Sequence, residues 1–544
     1  MTRVPVSTAV ACAVALAASC KPPDPADPQT WIARLADPDV TVRKNALQEL
    51  RKRKVRAAAA PVAGLLKDAA LKEDAAFTLG VLGGPESVQP LLDAIDTTVG
   101  AGSDAATRNA NRANAKIAEA LGAIGYPNAG PALLRLARSR DELVRLAAVQ
   151  ALGEVRYRDA VPELSHLIDD ESASPLAVKK AVVSLGQIAD PAALPALTHA
   201  LVSQRRGVSF LSEASFALFE LREASVEPLI SIALDQDPDY AAWARATGRA
   251  PAGTYAKVAI VLGDLGDPRA IPVLIKLLGY SDPDPIPSTA RLLTSVVRQF
   301  AADALGRMRA KEAAAEILSL VSVRSREDEE PALFYGNALV WIGDRSQARE
   351  LLRRAQVGAV RPRLAVLEAA VLLGPPALQQ DLAKLVAKQA DGRPKQCVAA
   401  LAELGVADAE ESNACRALAQ RFAALATPLA AAEECGKGNP VACWTKKIDD
   451  VDPWVRARAA YELGRANAVS AVVPLVQRAA DAELTPRLAA IRALEWLAQD
   501  PAAQAELKAA APQIKAQLDA EQGRIQFLKV NEELRRLQAR LARL

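Results

Sequence analysis

The stretch from Tyr255 to Leu278, YAKVAIVLGDLGDPRAIPVLIKLL, predicts two short helices joined by a tight turn. In its first half the apolar residues recur at helical spacing, at Val258, Val261, Leu262 and Leu265. Gly266 is expected to end this helix, because glycine adopts a left-handed C-terminal cap without steric cost. Pro272 falls in the first turn of the second helix, where a missing N–H costs no hydrogen bond. Two such helices cannot bury their apolar faces alone, so they require neighbours of the same kind.

The same hairpin recurs along the chain, with a leucine near the end of each first helix as the common position. This leucine occurs at Leu79, Leu121, Leu152, Leu185, Leu218, Leu262, Leu305, Leu339, Leu372, Leu404, Leu463 and Leu494, with a weaker copy at Leu50. Glycine follows it at Gly80, Gly122, Gly153, Gly186, Gly263, Gly306, Gly405 and Gly464. A residue this small is expected to let the next helix approach closely. The spacing of roughly 31 to 44 residues predicts an all-α fold, an α-solenoid of about 12–13 helical hairpins with a C-terminal helix.

Stretches of the type Asp-Pro-x-x-x-Val-Arg open several first helices, at residues 37–43 and in shorter forms at 141–145 and 452–456. Together with the second-helix pattern that follows, they resemble the HEAT repeat, in the short variety of the phycobilisome lyases. The resemblance covers roughly Trp31 to Leu518. It implies a binding scaffold, and the lyases add bilin attachment as an enzymatic alternative. The aspartate is expected to cap its helix and to face an arginine about four residues later.

The N-terminal residues 1–19 are interpreted as an export signal and not as part of the fold. Arg3 precedes a short apolar run, Val6 to Ser19, which is too short to span a bilayer. The run ends in Leu16-Ala17-Ala18-Ser19-Cys20, which resembles the lipobox of bacterial lipoproteins. That resemblance implies cleavage before Cys20, lipidation of Cys20 and attachment to a membrane. An ordinary secretory signal is the alternative.

The remaining chain divides into a tether, the solenoid and a terminal helix. Residues 20–30 include the proline-rich KPPDPADP and are predicted to be extended. Residues 31–518 form the predicted HEAT-like solenoid, and residues 519–544 form the terminal segment. The helix of this segment is expected to begin earlier, near Ala511, within the end of the solenoid. A heptad seam runs along this helix at Phe527, Val530, Leu534, Leu537, Leu541 and Leu544, with charged residues outside the seam. The helix is expected either to cap the solenoid or to serve self-association or partner binding.

Composition is consistent with a repeat protein and gives little support to other classes. The chain of 544 residues is 51% hydrophobic but only 4% aromatic, as closely packed helix pairs require. Its formal charge is +3, from 67 basic and 64 acidic residues, so no broad electrostatic field for nucleic acid is expected. The sequence contains no phosphate-binding loop or hydrolase motif, and its two histidines, His166 and His199, lack further ligands at suitable spacing. No catalytic residue, metal or cofactor is therefore expected.

Four cysteines remain after the expected processing, at Cys397, Cys415, Cys435 and Cys443. An exported protein meets an oxidising compartment, so two disulfides are predicted among them. Sequence leaves the three connectivities open, although the glycine-rich turn at residues 436–440 makes a Cys435–Cys443 loop feasible. Buried free thiols are the alternative.

Three repeat intervals are long, with inserts at Thr97–Asn111, Asp235–Gly253 and Tyr280–Ser288. Equivalent connections emerge on one edge of a solenoid, so the inserts are expected to share a rim. The rim is predicted to bind a partner through aromatic and basic residues, at Tyr240, Trp243, Arg245, Arg249 and Tyr280. In the alternative interpretation the aromatic side chains fold inward and pin their own loops.

These observations favour a non-enzymatic lipoprotein that holds a protein partner at the bacterial cell envelope, on the periplasmic or the surface face. A lyase-like or otherwise catalytic repeat protein is the second hypothesis. A structural spacer without a specific ligand is the third.

Overall fold

The structure is a computed structural model that describes residues 26–97, 104–391, 420–521 and 528–542. In these ranges the regular structure is helical, apart from one small hairpin in which β1 (Gln204–Arg205) pairs antiparallel with β2 (Val208–Ser209). Two compact units are formed, unit 1 (Met1–Leu221) and unit 2 (Arg222–Leu544). The predicted all-α solenoid of helical hairpins is confirmed.

Unit 1 alternates first and second helices of successive hairpins. Its helices are α1 (Pro28–Ala33), α2 (Val40–Lys52), α3 (Ala59–Gly64), α4 (Lys72–Leu82), α5 (Val88–Asp93), α6 (Ala105–Ile124), α7 (Gly130–Ala137), α8 (Glu142–Glu154), α9 (Val161–Asp169), α10 (Pro175–Ile188), α11 (Leu194–Val202) and α12 (Leu211–Leu221). The first helices α4, α6, α8, α10 and α12 pack side by side in one layer. The shorter helices α7, α9 and α11 pack against that layer.

Unit 2 repeats this arrangement with more irregular connections. Its helices are α13 (Val226–Ala233), α14 (Pro238–Ala246), α15 (Pro251–Leu265), α16 (Ile271–Leu278), α17 (Pro287–Arg307), α18 (Ala314–Leu320), α19 (Glu329–Ile342), α20 (Ala348–Arg354), α21 (Val360–Leu373), α22 (Gln379–Asp391), α23 (Ala426–Cys435), α24 (Pro440–Lys447), α25 (Pro453–Arg465), α26 (Val472–Arg478), α27 (Leu484–Leu497), α28 (Gln504–Glu521) and α29 (Leu528–Leu541). The first helices α15, α17, α19 and α21 stack in order, and α25 stacks on α27.

The turn within the hairpin forms as the sequence predicts. Gly266 has φ +69°, and its N–H donates to the Leu262 carbonyl at 3.0 Å, which ends α15. The side chain of Asp267 accepts a hydrogen bond from the Arg269 N–H at 3.0 Å and starts a 3₁₀ turn, Pro268–Ala270. The second helix then begins at Ile271. This Asp-Pro turn recurs at Asp190 and Asp500, so the local chemistry of the repeat is the same in both units.

Aspartates of the HEAT-like pattern cap the helices, but in the first stretch the cap is Asp39 and not the opening Asp37, whose carboxylate accepts the Asp39 N–H at 2.9 Å. The expected arginine partners also differ. Asp39 caps α2 by accepting the Thr41 N–H at 2.7 Å. The arginine that follows pairs with an acid 25 residues further along the chain, since Arg43 contacts Asp68 at 2.8 Å. Arg456 pairs with Asp481 in the same way, also at 2.8 Å. The expectation of a local pair is corrected, because here the arginine ties the start of a first helix to the end of its hairpin.

In the described part of the chain, the glycines that follow the repeated leucine lie where neighbouring first helices touch. Leu404 and Gly405 lie outside the described residues. A Cβ atom added at Gly153 would lie 2.6 Å from the Ser184 Cα, and one added at Gly186 would lie 2.8 Å from the Ala217 Cα. Contacts this short with backbone cannot be relieved by rotating a side chain. The predicted close approach of successive helices is confirmed.

Replacing Gly186 by alanine is therefore expected to destabilise unit 1, by about 1–3 kcal/mol, because α12 must move away. Gly64 is the matched control, since it is also helical but has open space around its Cβ position. There the same substitution is expected to stabilise the protein by about 0.4–1 kcal/mol, because alanine lowers the conformational entropy of the unfolded chain. Urea unfolding followed by circular dichroism measures both, and equal effects of the two variants would contradict the close-packing argument.

Several predicted boundaries change in the structure. Helix α1 begins at Pro28, inside the stretch predicted as an extended tether. The insert at residues 235–253 contains the helix α14, and the insert at residues 97–111 includes the start of α6. The terminal helix predicted from Ala511 corresponds to the later part of α28 and to α29, and residues 522–527 between them lie outside the described residues. The export signal and Cys20 lie outside the described residues. No helix within the described ranges combines the length and the apolar character needed to cross a bilayer.

Candidate functional sites

The first group of predicted rim residues lies on and beside α14. Tyr240 is only 9% exposed, and its hydroxyl lies 3.0 Å from the hydroxyl of Thr254 in α15. The ring of Trp243 packs against Tyr240, with centroids 5.5 Å apart. The guanidinium of Arg249 lies 5.9 Å from the centroid of the Trp243 ring. These contacts hold α14 against the start of α15.

The second group surrounds the loop that follows α16. The ring of Tyr280 meets the ring of Tyr255 edge to face, with centroids 5.5 Å apart. The Tyr280 hydroxyl donates to Asp282 at 2.6 Å, and the Tyr255 hydroxyl donates to Asp235 at 2.6 Å. Burial, followed by these carboxylates, raises the pKa of both phenols well above the usual range. Neutral tyrosines therefore tie the two inserts to the hairpin between them.

The five predicted rim residues differ in exposure. Tyr240 is buried and Tyr280 is half-buried, and both make contacts within the chain. This arrangement fits the alternative in which the aromatic side chains pin their loops. Arg245 is exposed, while Trp243 and Arg249 are half-buried. Partner binding at the rim stays a prediction.

Two of the four candidate disulfide cysteines lie in the described part of the chain. Cys435 ends α23 and Cys443 lies in α24, and the structure joins their sulfur atoms across a Cα–Cα distance of 5.3 Å. This is within the range that a disulfide requires. Cys397 and Cys415 lie outside the described residues. The prediction of two disulfides stays a prediction.

The C-terminal helix α29 packs onto unit 2 as a cap. Its apolar seam is buried at Val530, Leu534, Leu537 and Leu541. Neighbouring helices α27 and α28 cover it. Phe527 and Leu544, the predicted ends of the seam, lie outside the described residues. Because these described seam positions are already covered within the chain, the structure favours the capping role over self-association.

Charged residues of α29 also face inward, contrary to the expectation that they lie outside the seam. Arg536 contacts the buried carboxylate of Asp264 at 2.9 Å, and Arg540 donates to the backbone carbonyl of the same residue. Arg307 pairs with Asp264 as well and with Asp303 at 3.0 Å. Burial alone would lower the pKa of Arg307, but the carboxylates of Asp264 and Asp303 outweigh burial and raise that pKa, so Arg307 stays charged. Asp264 is the point at which α15, α17 and α29 are joined.

A second part of this ionic network connects α27 to α29. Arg492 contacts Glu495 at 2.5 Å and Glu533 at 3.1 Å, and all three side chains are buried. Burial raises the pKa of Glu495 from 4.5 to about 7, with the nearby Glu533 adding to the shift and Arg492, Arg540 and Arg307 opposing it. The carboxyl group therefore gains a proton in the folded protein near neutral pH.

This pKa predicts that the protein is more stable at mildly acidic pH. Between about pH 4.5 and 7 the folded state keeps a proton on Glu495 that the unfolded state has released, so stability falls as pH rises through this window. Raising the pH from about 5.5 to about 8 is expected to lower the free energy of unfolding by about 2 kcal/mol. Urea unfolding at the two pH values measures the difference.

The variant Glu495→Gln is expected to lose most of this pH dependence. Glu506→Gln, which changes an exposed residue of α28, is the control and is expected to retain it. If Glu495→Gln kept the full dependence, the assignment to Glu495 would be wrong.

A further buried carboxylate, Glu462, joins the turns of distant repeats. It contacts Arg345 at 2.5 Å, Arg465 at 3.3 Å and Arg458 at 3.7 Å. Burial raises the pKa of Glu462, but the three guanidinium groups outweigh burial and hold the pKa below its ordinary value. Sequence reasoning missed this cluster because Arg345 lies 117 residues before Glu462. No pattern of residues close together in the sequence predicts a contact over such a separation.

The layer of first helices in unit 1 presents a solvent-facing surface, which we call the open helix face. It carries exposed apolar side chains of α4, α8 and α10 at Phe77, Val81, Leu143 and Leu176. Basic side chains lie among them, since Arg51 stacks on the Phe77 ring at 4.2 Å and Lys116 lies 5.6 Å from the centroid of that ring. The backbone beneath is held by the glycine contacts described above, so these side chains project from a rigid support.

The two histidines lie in unit 1, and neither is part of a ligand cluster. His199 Nδ1 lies 3.0 Å from a carboxylate oxygen of Asp169, and His166 lies on the preceding second helix α9. Across the residues that the structure describes, no group of three or more histidine, cysteine or acidic side chains is arranged to hold a metal ion.

Comparisons with known proteins identify the type of repeat. Residues 131–217 match the family model for HEAT repeats. Residues 255–280 match the PBS lyase HEAT-like repeat, and they include the whole hairpin from Tyr255 to Leu278. The HEAT-repeat resemblance is thereby confirmed for these two regions. No curated protein matches the chain.

Solved structures of other helical repeat proteins are similar in a general way. The complex of CpcE and CpcF of phycocyanin lyase from Nostoc is 19% identical, with 58% of this chain and 94% of that chain covered and a TM-score of 0.23. Human deoxyhypusine hydroxylase is 21% identical, with 58% of this chain and 95% of that chain covered and a TM-score of 0.21. Yeast importin-β is 12% identical over 95% and 74%, with a TM-score of 0.37. Similarities this distant lend no support to a particular activity.

Proposed function

We propose that this HEAT-repeat protein is a non-catalytic scaffold that binds a protein partner at the bacterial cell envelope. The open helix face of unit 1 carries the proposal. Phe77, Leu143 and Leu176 are 44–51% exposed, although each lies on a first helix whose opposite side is tightly packed. Large apolar side chains that stay in water on a rigid, regular surface are typical of a docking site for another protein.

The basic residues of this face add polar contacts around the apolar ones. Lys179 pairs with Glu213 at 2.7 Å across neighbouring helices, and Arg112 contacts Glu73 at 3.5 Å. The Arg112–Glu73 pair is exposed and the Lys179–Glu213 pair is partly exposed. Ion pairs in contact with water stabilise the fold little, so their arginine and lysine side chains can exchange partners at low cost. A protein surface with apolar and acidic side chains would meet both kinds of group on this face.

Crosslinking followed by a binding measurement tests the scaffold role. A photo-crosslinking residue at Leu143 in intact envelopes is expected to capture a defined partner, whereas the same residue at Leu292 in unit 2 is not. With the purified partner, the triple variant Phe77→Ser, Leu143→Ser, Leu176→Ser is expected to bind about tenfold or more weakly. Its melting temperature is expected to stay nearly unchanged, because all three side chains are exposed.

The matched control replaces Ile286, Leu292 and Val451 by serine, since these exposed apolar residues lie in unit 2. Equal loss of binding in both triple variants would show that general surface hydrophobicity, not the open helix face, is responsible. Unchanged binding in the unit 1 variant would reject this face as the docking site.

The envelope location depends on Cys20 and on its resemblance to a lipobox cysteine. Cys20→Ser is expected to move the protein from the membrane fraction to a soluble fraction or to leave it unprocessed. Mass spectrometry of the mature N-terminus provides the direct test, and a mature N-terminus elsewhere or an unmodified Cys20 would contradict the anchor.

The match of residues 255–280 to a lyase-type repeat concerns the repeat itself and adds no catalytic group. The proposal of a non-enzymatic role is supported by the chemistry of the clusters described above, in which the buried ionisable groups join helices to one another. Incubation with free bilin, followed by the absorbance of the denatured protein, would reveal covalent attachment if the lyase alternative were correct.

A further inference from the structure

A cleft of about 340 Å³ opens in unit 2, at the point where the turns of two stacked hairpins meet α24 and the end of α25. Its lining residues are Arg309, Lys311, Ile342, Gly343, Arg345, Pro440, Val441, Trp444, Glu462, Arg465 and Ala466. Ile342 ends α19, and the other four of the first five come from the turns that follow α17 and α19. The volume is sufficient for a small organic molecule.

The charge of this cleft is strongly unbalanced. Four basic side chains line it but only one carboxylate, that of Glu462, so the lining carries an excess of three positive charges. Glu462 is already shared by Arg345 and Arg465 and also contacts Arg458, which lies behind the cleft. The single negative charge of Glu462 is therefore shared among three guanidinium groups. The positive charge of the cleft is only partly neutralised.

Arg309 and Lys311 have no carboxylate within ion-pair distance in the described structure. The guanidinium of Arg309 stacks on the ring of Trp496 at 4.9 Å, which orients it without neutralising it. Burial lowers the pKa of Arg309. Asp344 lies near Lys311, but its carboxylate accepts the Ser346 N–H at 3.0 Å and caps the next turn. Both cations are thus available to a ligand.

The rest of the lining is apolar or aromatic. Trp444, Pro440 and Val441 of α24 form one wall, and Ile342 at the end of α19 adds further apolar surface. The sulfur atoms of Cys435 and Cys443, eight residues apart in the chain, are joined. This bond holds the start of α24 beside the wall. A ligand that fits the cleft therefore combines a compact, multiply charged anion with a small apolar or ring-shaped body.

We propose that this cleft binds an organic phosphate, a phosphate monoester on a small apolar body. Guanidinium groups bind phosphate oxygens through paired, charge-assisted hydrogen bonds, and a dianion matches the excess charge better than a monoanion does. Arg309, Arg345 and Lys311 would face the phosphate group, and the wall of Trp444 would face the body. The inference does not depend on the scaffold role, because the cleft lies entirely in unit 2.

Isothermal titration calorimetry of the full chain with phenyl phosphate, in a phosphate-free buffer of low salt, tests the proposal. Saturable binding is expected, and the double variant Arg309→Gln, Lys311→Gln is expected to bind about tenfold or more weakly. Neither side chain makes an ion pair in the described structure, and loss of the Arg309 stacking on Trp496 is expected to cost only about 0.5–2 kcal/mol, so the variant is expected to fold. Circular dichroism checks this.

Arg291→Gln is the control for a general charge effect, since it removes one positive charge, against two in the double variant, from an exposed position about 24 Å along α17 from the helix end at Arg307. Its affinity is expected to stay within about twofold of the original protein, because screening limits the effect of a distant surface charge. An equal loss in the control and in the double variant would overturn the site.

Two further probes identify the part of the ligand that is recognised. Benzoate, a monoanion with the same ring, is expected to bind about tenfold more weakly than phenyl phosphate. Inorganic phosphate is expected to bind more weakly than phenyl phosphate, because it cannot use the apolar wall. Absence of saturable heat with phenyl phosphate, or equal affinity for benzoate, would overturn the proposal of a phosphate site, and equal affinity for inorganic phosphate would overturn the apolar part of it.

Discussion

Asp264→Ala is expected to lower the free energy of unfolding of unit 2 by about 3–5 kcal/mol, because it leaves two buried arginines without their shared carboxylate. Arg307 and Arg536 both contact Asp264, and Arg540 donates to its carbonyl. Arg307 retains Asp303 in the variant, but Arg536 loses the carboxylate that binds it to α15. The helix α29 is therefore expected to detach before the rest of unit 2 unfolds.

Urea unfolding measures the stability, and amide hydrogen exchange of peptides from α29 measures the detachment. Asp519→Ala is the control, because it breaks an exposed pair with Lys515 on α28 and is expected to change stability by less than about 0.5 kcal/mol. If Asp264→Ala were as stable as the control, the buried network would contribute to specificity only and not to stability.

Tyr240→Ala is the second variant with a large expected effect. Its ring is buried between α14 and α15 and its hydroxyl is bonded to Thr254, so removal is expected to cost about 3–5 kcal/mol. Tyr240→Phe retains the ring and loses only the hydrogen bond, which is expected to cost about 0.5–1.5 kcal/mol. Thermal unfolding followed by circular dichroism distinguishes the two.

Arg245→Ala provides the comparison within the same insert, since Arg245 is exposed and its removal is expected to change stability by less than about 0.5 kcal/mol. If Tyr240→Ala left the melting temperature unchanged but weakened partner capture, the packing role would be wrong and the original rim prediction would be correct for this residue.

The hairpins, their turns and their packing distance could be predicted from sequence because each depends on residues close together in the chain. The cap at Gly266 requires only a glycine at the end of an apolar periodicity. The close approach at Gly153 follows from a small residue repeated at one position of the hairpin. Such signals recur in most copies, so one hairpin supports the interpretation of the next.

The rim shows the limit of this reasoning. Aromatic and basic residues in an insert are equally consistent with a docking surface and with an internal clasp, since both need large side chains. The direction of the Tyr240 side chain depends on Thr254, which lies in the next helix. The sequence pattern contains the residues but not their orientation.

The sequence by itself determined the repeat, the turn within the hairpin and the apolar face of each helix, because helical periodicity and capping act over a few residues. Tertiary structure alone decided which charges are buried together. Arg540 reaches Asp264 across 276 residues, and Trp341 donates to the Tyr461 hydroxyl at 3.0 Å across 120 residues. These contacts depend on the total rotation that accumulates from one hairpin to the next. The residues within a single hairpin do not predict that total rotation. For this reason the ionic network of α29 and the basic cleft became visible only in the folded chain.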